Sequence, residues 1–386
     1  MPLAFLRAAA RPCGIAAWLA FAAALFVSGC ASSGLSELTE ASMESRALSV
    51  FVVSTRKGER GAASETGVEG GARASLQMIG VPPEHAPGQL ERPSFGSEDP
   101  RKHFVALKRR GLDEAAFLSE LATHISGRIG SNRDLLLYVH GFNTGYDEAR
   151  FRLAQIVADG RFGGVPVLFT WPSANSLLDY GAAKESATIS RDALARLIHQ
   201  LAETPGVGRL HVLAHSMGAW LTMEALRENA IAGSPDLNGR LGEVMLAAPD
   251  IDLKVFRQQL ARIDPSHVSV LVASNDRALS ISRTLAGDRA RLGALDPTNP
   301  SERAALEGLG VRVYDLSRES TEIIGHGTYA NAPQVVRTIG AQIAEPRPQD
   351  ASVQAVLGDK PVDPKITAAP LPPIVAPSSG AAAPAP

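Results

Sequence analysis

The chain has 386 residues, more than a single domain of about 150 residues requires. Hydrophobic residues make up 45% of it and charged residues 20%, proportions typical of a globular protein with a sizeable core. The formal net charge is −2, so the charge balance gives no reason to expect nucleic acid as a partner.

The first 29 residues are predicted to be a signal peptide. Arg7 and Arg11 precede an apolar run over residues 15–27. This run is shorter than the roughly 20 residues that span a bilayer. An ordinary signal peptide or a short membrane anchor remains the alternative to the lipoprotein signal described next.

Residues 27–30, Val-Ser-Gly-Cys, resemble the lipobox of bacterial lipoproteins, in which the cysteine becomes the lipidated first residue. We therefore expect Cys30 to carry the lipid, palmitate included, and residues 30–47 to form a tether. By resemblance to enterobacterial sorting, Ala31 after this cysteine favours the outer membrane. The predicted location is the bacterial cell envelope, with the protein facing the periplasm.

Residues 48–343 are predicted to form one domain in which strands and helices alternate. The predicted strands cover residues 49–55, 74–81, 104–107, 134–139, 165–170, 210–213, 243–247, 268–273 and 311–316. The predicted helices cover residues 113–128, 146–158, 185–203 and 331–343, and another follows residue 216. This alternation predicts an α/β fold whose mainly parallel sheet has helices on both faces and binds ligands beyond the carboxyl ends of its strands.

The last segment, residues 344–386, differs in composition from the rest of the chain. It is rich in proline, alanine and serine, and it has few large apolar side chains to bury. We expect this tail to be disordered.

The most informative stretch is Leu-Ala-His-Ser-Met-Gly at residues 213–218, between a predicted strand and a predicted helix. This order is typical of a nucleophile elbow, in which a sharp turn exposes a serine. Ala214 and Gly218 supply the small residues on either side that allow strand and helix to pass closely. Ser216 is thus the candidate nucleophile, and a helix-capping serine is the alternative.

A serine hydroxyl needs a base and a group that orients the base. His326, flanked by two glycines in a loop after the last predicted strand, is the candidate base. Two aspartates after predicted strands are candidates for the acid. Asp276 follows the penultimate strand, which is the more frequent arrangement in α/β-hydrolases, and Asp250 is the reserve.

Two backbone N–H groups are candidates for the oxyanion hole. Met217 directly follows the nucleophile, and Phe142 lies in the His-Gly-Phe-Asn turn after the strand at 134–139. His140, at the start of this turn, is interpreted as a structural hydrogen-bonding residue. Trp171 follows another strand end, where it either lines the substrate pocket or packs in the core.

The chain has no His-Glu-x-x-His motif, no cysteine cluster and no phosphate-binding Gly-rich motif followed by Lys-Ser/Thr. We therefore predict no metal and no cofactor. Residues 277–310 contain several arginines, which form either a cap that favours an anionic substrate or a solvated helix edge.

Together these motifs resemble one branch of the α/β-hydrolase superfamily, a bacterial domain family of unknown function that is often carried by lipoproteins. The resemblance covers residues 48–343 and depends on the order of six segments. These are residues 138–143, 169–173, 214–218, 246–252, 274–283 and 325–326. The resemblance implies the fold and a serine-hydrolase machinery, and it implies no particular substrate.

The predicted function is that of a lipid-anchored serine hydrolase of esterase or lipase type, which cleaves an acyl ester through a Ser-His-Asp triad. One alternative is a non-catalytic envelope scaffold or binding lipoprotein that keeps the hydrolase fold. Another is an acyltransferase, which would use the same residues. The sequence predicts contact with the membrane through the anchor, and it does not identify a protein partner.

Overall fold

The computed structural model describes residues 46–56, 71–93, 95–173, 179–285, 287, 289–319 and 327–344. The predicted signal peptide, Cys30 and His326 lie outside these residues, and so does the predicted tail apart from Ala344, which ends a helix. The strands are β1 (Arg46–Ser54), β2 (Arg73–Val81), β3 (Val105–Leu112), β4 (Leu135–Val139), β5 (Val165–Thr170), β6 (Leu210–His215), β7 (Leu241–Ala247), β8 (Val268–Val272) and β9 (Arg312–Asp315).

The α-helices lie between and after these strands. They are α1 (Glu114–Ile125), α2 (Tyr146–Asp159), α3 (Tyr180–Glu203), α4 (Met217–Ile231), α5 (Leu253–Leu260), α6 (Arg277–Leu285), α7 (Pro300–Glu307), α8 (Thr328–Asn331) and α9 (Pro333–Ala344). Within the described residues, none of these helices combines the length and the apolar character needed to cross a bilayer.

The nine strands form one sheet in the order β3-β2-β1-β5-β4-β6-β7-β8-β9. Strand β2 pairs antiparallel with both of its neighbours, and every other neighbouring pair is parallel. The prediction of an α/β fold with a mainly parallel sheet is therefore confirmed. Because the carboxyl ends of the parallel strands lie at one edge, the turns after β4, β6, β7 and β8 are brought together there.

Helices cover both faces of the sheet, as the sequence predicted. Strand β4 shows why, since Leu135 and Leu137 point into one core while Leu136 and Tyr138 point into the other. Helices α1, α3, α4, α5 and α7 pack on the first face. Helices α2, α8 and α9 pack on the second.

The element bounds differ from the predicted ones in informative places. Strand β3 extends to Leu112, well beyond the predicted 104–107, because it pairs with β2 although it carries charged residues. The predicted helix at 331–343 corresponds to α9, which begins two residues later, at Pro333, and follows the short helix α8. Proline fits the first turn of a helix, because an N–H group at that position would have no partner inside the helix.

Candidate active site

Ser216 occupies the turn between β6 and α4 and has a strained backbone, with φ 53° and ψ −123°. Three backbone hydrogen bonds hold this conformation. The Ser216 N–H donates to Ala247 O at 2.9 Å, and its carbonyl accepts from the N–H groups of Ala219 and Asp250 at 3.0 and 3.1 Å. A non-glycine residue in such a region costs on the order of 1–3 kcal/mol and persists only where its surroundings fix it.

Small residues allow the turn to sit close to its neighbours. A Cβ atom on Gly218 would lie 2.2 Å from His140 O and 2.7 Å from Val139 O, so α4 passes directly against the end of β4. Ala214 has no exposed surface and fits within β6 in place of the glycine usual in this motif. These approaches bring the turn after β4 beside Ser216.

The turn after β4 supplies one of the two candidate oxyanion donors. A Cβ on Gly141 would lie 2.8 Å from Ser216 Cβ, which shows how closely this loop approaches the serine. Within the described residues the Phe142 N–H makes no hydrogen bond. The Met217 N–H lies in the first turn of α4, where N–H groups have no partner inside the helix.

The two candidate acids lie in different surroundings. Asp276 follows β8 and is fully buried, and its Oδ1 accepts a hydrogen bond from the Leu279 N–H at 3.0 Å. Asp250 follows β7 and has both carboxylate oxygens engaged. Tyr180 Oη donates to its Oδ2 at 2.8 Å, and Ser282 Oγ donates to its Oδ1 at 2.6 Å.

Asp250 also forms an ion pair with a buried arginine, since Arg291 Nε lies 3.2 Å from its Oδ1. A carboxylate held by two hydroxyl groups and a guanidinium is part of a structural network. Of the arginines in residues 277–310 singled out by the sequence, Arg291 is therefore not on a solvated edge. Arg277, Arg283 and Arg289 are exposed, as expected for such an edge.

His326 lies outside the described residues, and the chain resumes next to it at Gly327. Gly327 borders a cavity of about 60 Å³ whose wall includes His215, the residue before Ser216. The Tyr329 ring stacks on the His215 ring with centroids 4.5 Å apart, and the hydroxyl groups of Tyr329 and Tyr138 are 2.7 Å apart. The chain that follows His326 is thus held against the serine turn.

Helix α2 fixes the same segment from the other side. Arg152 Nη1 donates to Asn331 Oδ1 at 2.6 Å, and Gln155 Nε2 donates to Ala330 O at 2.7 Å. Gln155 Nε2 also donates to Asp159 Oδ2 at 2.7 Å, which links α8 to a further polar cluster. This role of α2 was not predicted from the sequence.

This further cluster is centred on His85, which lies between two carboxylates. His85 Nδ1 is 2.9 Å from Glu91 Oε2, and Nε2 is 2.9 Å from Asp159 Oδ1. Burial alone would lower the pKa of His85, but the hydrogen bonds to Asp159 and Glu91 outweigh it and raise the pKa. In the described part of the chain, no three His, Cys, Asp or Glu side chains are arranged to hold a metal ion.

Trp171 is fully buried, so of the two alternatives raised by the sequence the structure favours packing in the core over lining a substrate pocket. Its ring stacks on the His140 ring at 5.5 Å with an interplanar angle of 2°. Its Nε1 donates to His140 O at 3.0 Å. Trp171 therefore supports the turn after β4 from within the core.

Two side chains near the site were not identified from the sequence. The Tyr180 ring packs edge-on against Phe142 at 5.7 Å, and burial, then the nearby Asp250, raises its pKa to about 12. One turn further along α3, Lys184 Nζ lies 3.5 Å from the centre of the Trp220 ring. Burial lowers the pKa of Lys184 to about 7.

The parallel sheet, the helices on both faces and the strained serine turn at the carboxyl edge define an α/β-hydrolase fold. The chain belongs to the family described as alpha/beta hydrolase of unknown function (DUF900), which matches residues 113–344. Among solved structures, a similar one is an esterase from Pyrobaculum calidifontis, with 14% sequence identity and a TM-score of 0.34. The alignment covers 56% of this chain and 78% of the esterase. Comparison with curated proteins gives no match.

Proposed function

We propose that this protein is a serine hydrolase of esterase or lipase type that cleaves an acyl ester. Ser216 is the nucleophile, His326 is the base, and Asp276 holds the imidazole in the required tautomer. The N–H groups of Phe142 and Met217 stabilise the oxyanion of the tetrahedral intermediate.

The conformation of Ser216 is the observation that carries this proposal. A serine that only capped α4 would stay in the extended region and accept a hydrogen bond from the first helical turn. Ser216 has a positive φ, and its side chain makes no capping hydrogen bond. Helix capping therefore does not explain the strained conformation of Ser216. This favours a role in catalysis over the helix-capping role that the sequence left as the alternative.

The chemistry follows from the roles proposed for these residues. His326 removes the proton of Ser216 as the oxygen attacks the acyl carbon, and it then returns that proton to the leaving alcohol as the ester C–O bond breaks. Water repeats the sequence on the acyl-enzyme and releases the acid. Gly327, the next residue in the chain after His326, lines the same cavity as His215, and the Tyr329 ring stacks on the His215 ring; both observations support this assignment.

A serine-directed fluorophosphonate probe tests the assignment of the nucleophile. We expect the probe to label the wild type and not Ser216→Ala. Ser266→Ala, at the amino edge of the sheet, should be labelled like the wild type. Equal labelling of wild type and Ser216→Ala would refute the proposal. p-Nitrophenyl esters of graded chain length would then define the acyl group, and product analysis with an added alcohol would separate hydrolysis from acyl transfer.

The same proposal includes a lipid anchor on Cys30 that holds the enzyme in the bacterial envelope, at the periplasmic side of the outer membrane. It is supported by the resemblance of residues 27–30 to a lipobox. Cys30→Ser should abolish labelling by a palmitate analogue and move the protein out of the membrane fraction. Persistent labelling of this variant would contradict the anchor without affecting the assignment of Ser216.

A further inference from the structure

A buried arginine at the end of β1 contacts both turns that adjoin the site. Arg56 is 3% exposed, and its Nε donates to Thr170 Oγ1 at 2.7 Å. Its Nη2 donates to Thr144 O at 2.5 Å and to Ser173 Oγ at 3.4 Å. The planar fork of a guanidinium holds several acceptors at fixed positions, so Arg56 ties the turn after β4 to the turn after β5.

The same guanidinium, together with the backbone N–H of Trp171, determines which nitrogen of His140 carries the proton. His140 Nε2 lies 3.2 Å from Arg56 Nη2 and 3.2 Å from the backbone N of Trp171. A guanidinium and a peptide N–H can only donate, so Nε2 must be an acceptor. Thr170 Oγ1, which already accepts from Arg56, is 3.0 Å from the same nitrogen and can donate its proton to it.

The proton of His140 therefore resides on Nδ1, which lies 2.9 Å from Gly141 O and donates to it. Gly141 C=O belongs to the same peptide group as the Phe142 N–H. Because this group is planar and trans, its C=O and N–H point in opposite directions. Holding the carbonyl towards His140 therefore aims the Phe142 N–H away from His140 and leaves it free to meet an oxyanion.

This arrangement requires His140 to stay neutral. Burial, and then the charge of Arg56, lower the pKa of His140 well below its ordinary value. A doubly protonated imidazole would direct an Nε2–H at Arg56 and at the Trp171 N–H, which are themselves donors. The imidazole is also confined by the ring of Trp171, which stacks on it.

We propose that Arg56 is a positioning residue: it fixes His140 as the neutral Nδ1–H tautomer, and His140 in turn orients the peptide that donates the Phe142 N–H. This inference rests on the proposed function, because Phe142 matters for catalysis only if Ser216 forms an oxyanion there. Arg56 acts through His140 and the turn after β4.

Kinetics provide the first test, with Arg56→Met and Arg56→Lys. Deleting a donor of an oxyanion hole lowers kcat by about 10²–10³, so misdirecting one donor in Arg56→Met should lower kcat by about 10- to 100-fold with little change in KM. The affinity for a trifluoromethyl ketone should fall by the same factor, because its adduct carries the oxyanion. Arg56→Lys keeps the charge but has one nitrogen to replace the fork, so its loss should be intermediate.

Arg312→Met is the matched control, because Arg312 lies at the amino end of β9 and pairs with Glu243, far from the carboxyl edge. It should lower stability without selectively lowering kcat. If Arg56→Met does not fold, Thr170→Val removes the hydroxyl that contacts both Arg56 and His140 and should produce a smaller loss of kcat. Equal effects of Arg56→Met and Arg312→Met on kcat would overturn the proposal.

Long-range ¹H–¹⁵N NMR of the imidazoles supplies a test that needs no substrate, with His140→Gln to assign the resonance. The wild type should show one Nδ1–H tautomer that does not titrate near its ordinary value of 6.5. In Arg56→Met, which removes one donor to Nε2 and the charge that adds to burial, the tautomers should mix and the imidazole should titrate nearer to that value. An Nε2–H tautomer in the wild type would overturn the proposal. Because fluorophosphonate labelling tests Ser216 separately, a failure of the hydrolase assignment is distinguishable from a failure of this one.

Discussion

At the proposed active site, Gly218 is the glycine packed most tightly against neighbouring backbone atoms. Substitution of Gly218 by alanine, which adds one methyl group, tests this packing. In Gly218→Ala the new Cβ would lie 2.2 Å from His140 O and 2.7 Å from Val139 O. Ordinary van der Waals contact begins at 3.4 Å, so the start of α4 and the end of β4 would have to separate by about 1.2 Å. Both obstacles are backbone carbonyls, so no side-chain rotation can relieve the contact.

This displacement should affect stability and reactivity together. Overpacking of this kind costs about 1–3 kcal/mol, partly offset by the roughly 1 kcal/mol that alanine gains over glycine in a helix. Because Gly141 and Phe142 follow the same strand end, the peptide that carries the proposed oxyanion donor should move relative to Ser216. A misplacement of about 1 Å is enough to lower reactivity on the order of 100-fold.

The control is Gly181→Ala, because Gly181 is the second residue of α3 as Gly218 is of α4, and among the described residues no atom beyond its own helix backbone and chain neighbours lies within 4 Å of its Cβ position. Thermal unfolding and the rate of fluorophosphonate labelling are measured for both variants. We expect Gly181→Ala to match or exceed the stability of the wild type and to label normally. If Gly218→Ala labelled as fast as Gly181→Ala and melted at the same temperature, the geometry inferred for the turn would be wrong.

Four further outcomes follow from the charged groups. Asp276→Asn should lower kcat by about 10⁴, as loss of the orienting carboxylate does in a Ser-His-Asp triad. Asp250→Asn should keep most of kcat but lose about 3 kcal/mol of stability, because it leaves Arg291 buried without its charge partner. If Asp250→Asn lowered kcat more than Asp276→Asn, Asp250 and not Asp276 would be the acid of the triad. The pKa of His85 is raised in the folded protein, so the stability contributed by its protonated form is fully present below pH 6.5 and is lost as pH rises through the folded pKa. As pH rises from 6.5 through that pKa, the Tm of the wild type should fall more than the Tm of His85→Gln. The pKa of Lys184 is lowered from 10.5 to about 7, so unfolding takes up a proton between these values; stability should rise with pH there, and a profile unchanged in Lys184→Met would contradict this.

The sequence predicted the sheet because its central strands are continuous apolar runs bounded by turn residues. Strands β4 and β5 begin and end within a residue of their predicted bounds. Helices α5 and α7 were not predicted, because each has only eight residues, too few for a clear helical period. Their capping residues, Asp252 and Asn299, were nevertheless present, and both side chains accept hydrogen bonds from the first helical turn.

The candidate site was predictable to the extent that its residues occur in local motifs. Ser216, Met217 and Phe142 depend on short segments whose spacing alone indicates a turn between strand and helix. Arg56 was not predicted, because the side-chain partners described above follow it in the chain by 84 residues or more, and the pairing of β1 with β5 and of β5 with β4 brings them near. A sequence signal did exist, in the polar Ser-Thr-Arg that ends the apolar run of β1.

Backbone strain is concentrated at the edge of the sheet where we place the reaction. Six non-glycine residues in the described chain have positive φ, and Asn143, Ser216 and Ala248 lie just after β4, β6 and β7, which are adjacent in the sheet. The other three are Arg161, Leu237 and Asn238, which lie in turns after helices. Asparagine tolerates this conformation, but serine and alanine do not do so readily. Glycine would relieve the strain at Ser216 and would also remove the hydroxyl, so a purely structural turn gives no reason to keep serine there, whereas a nucleophile does.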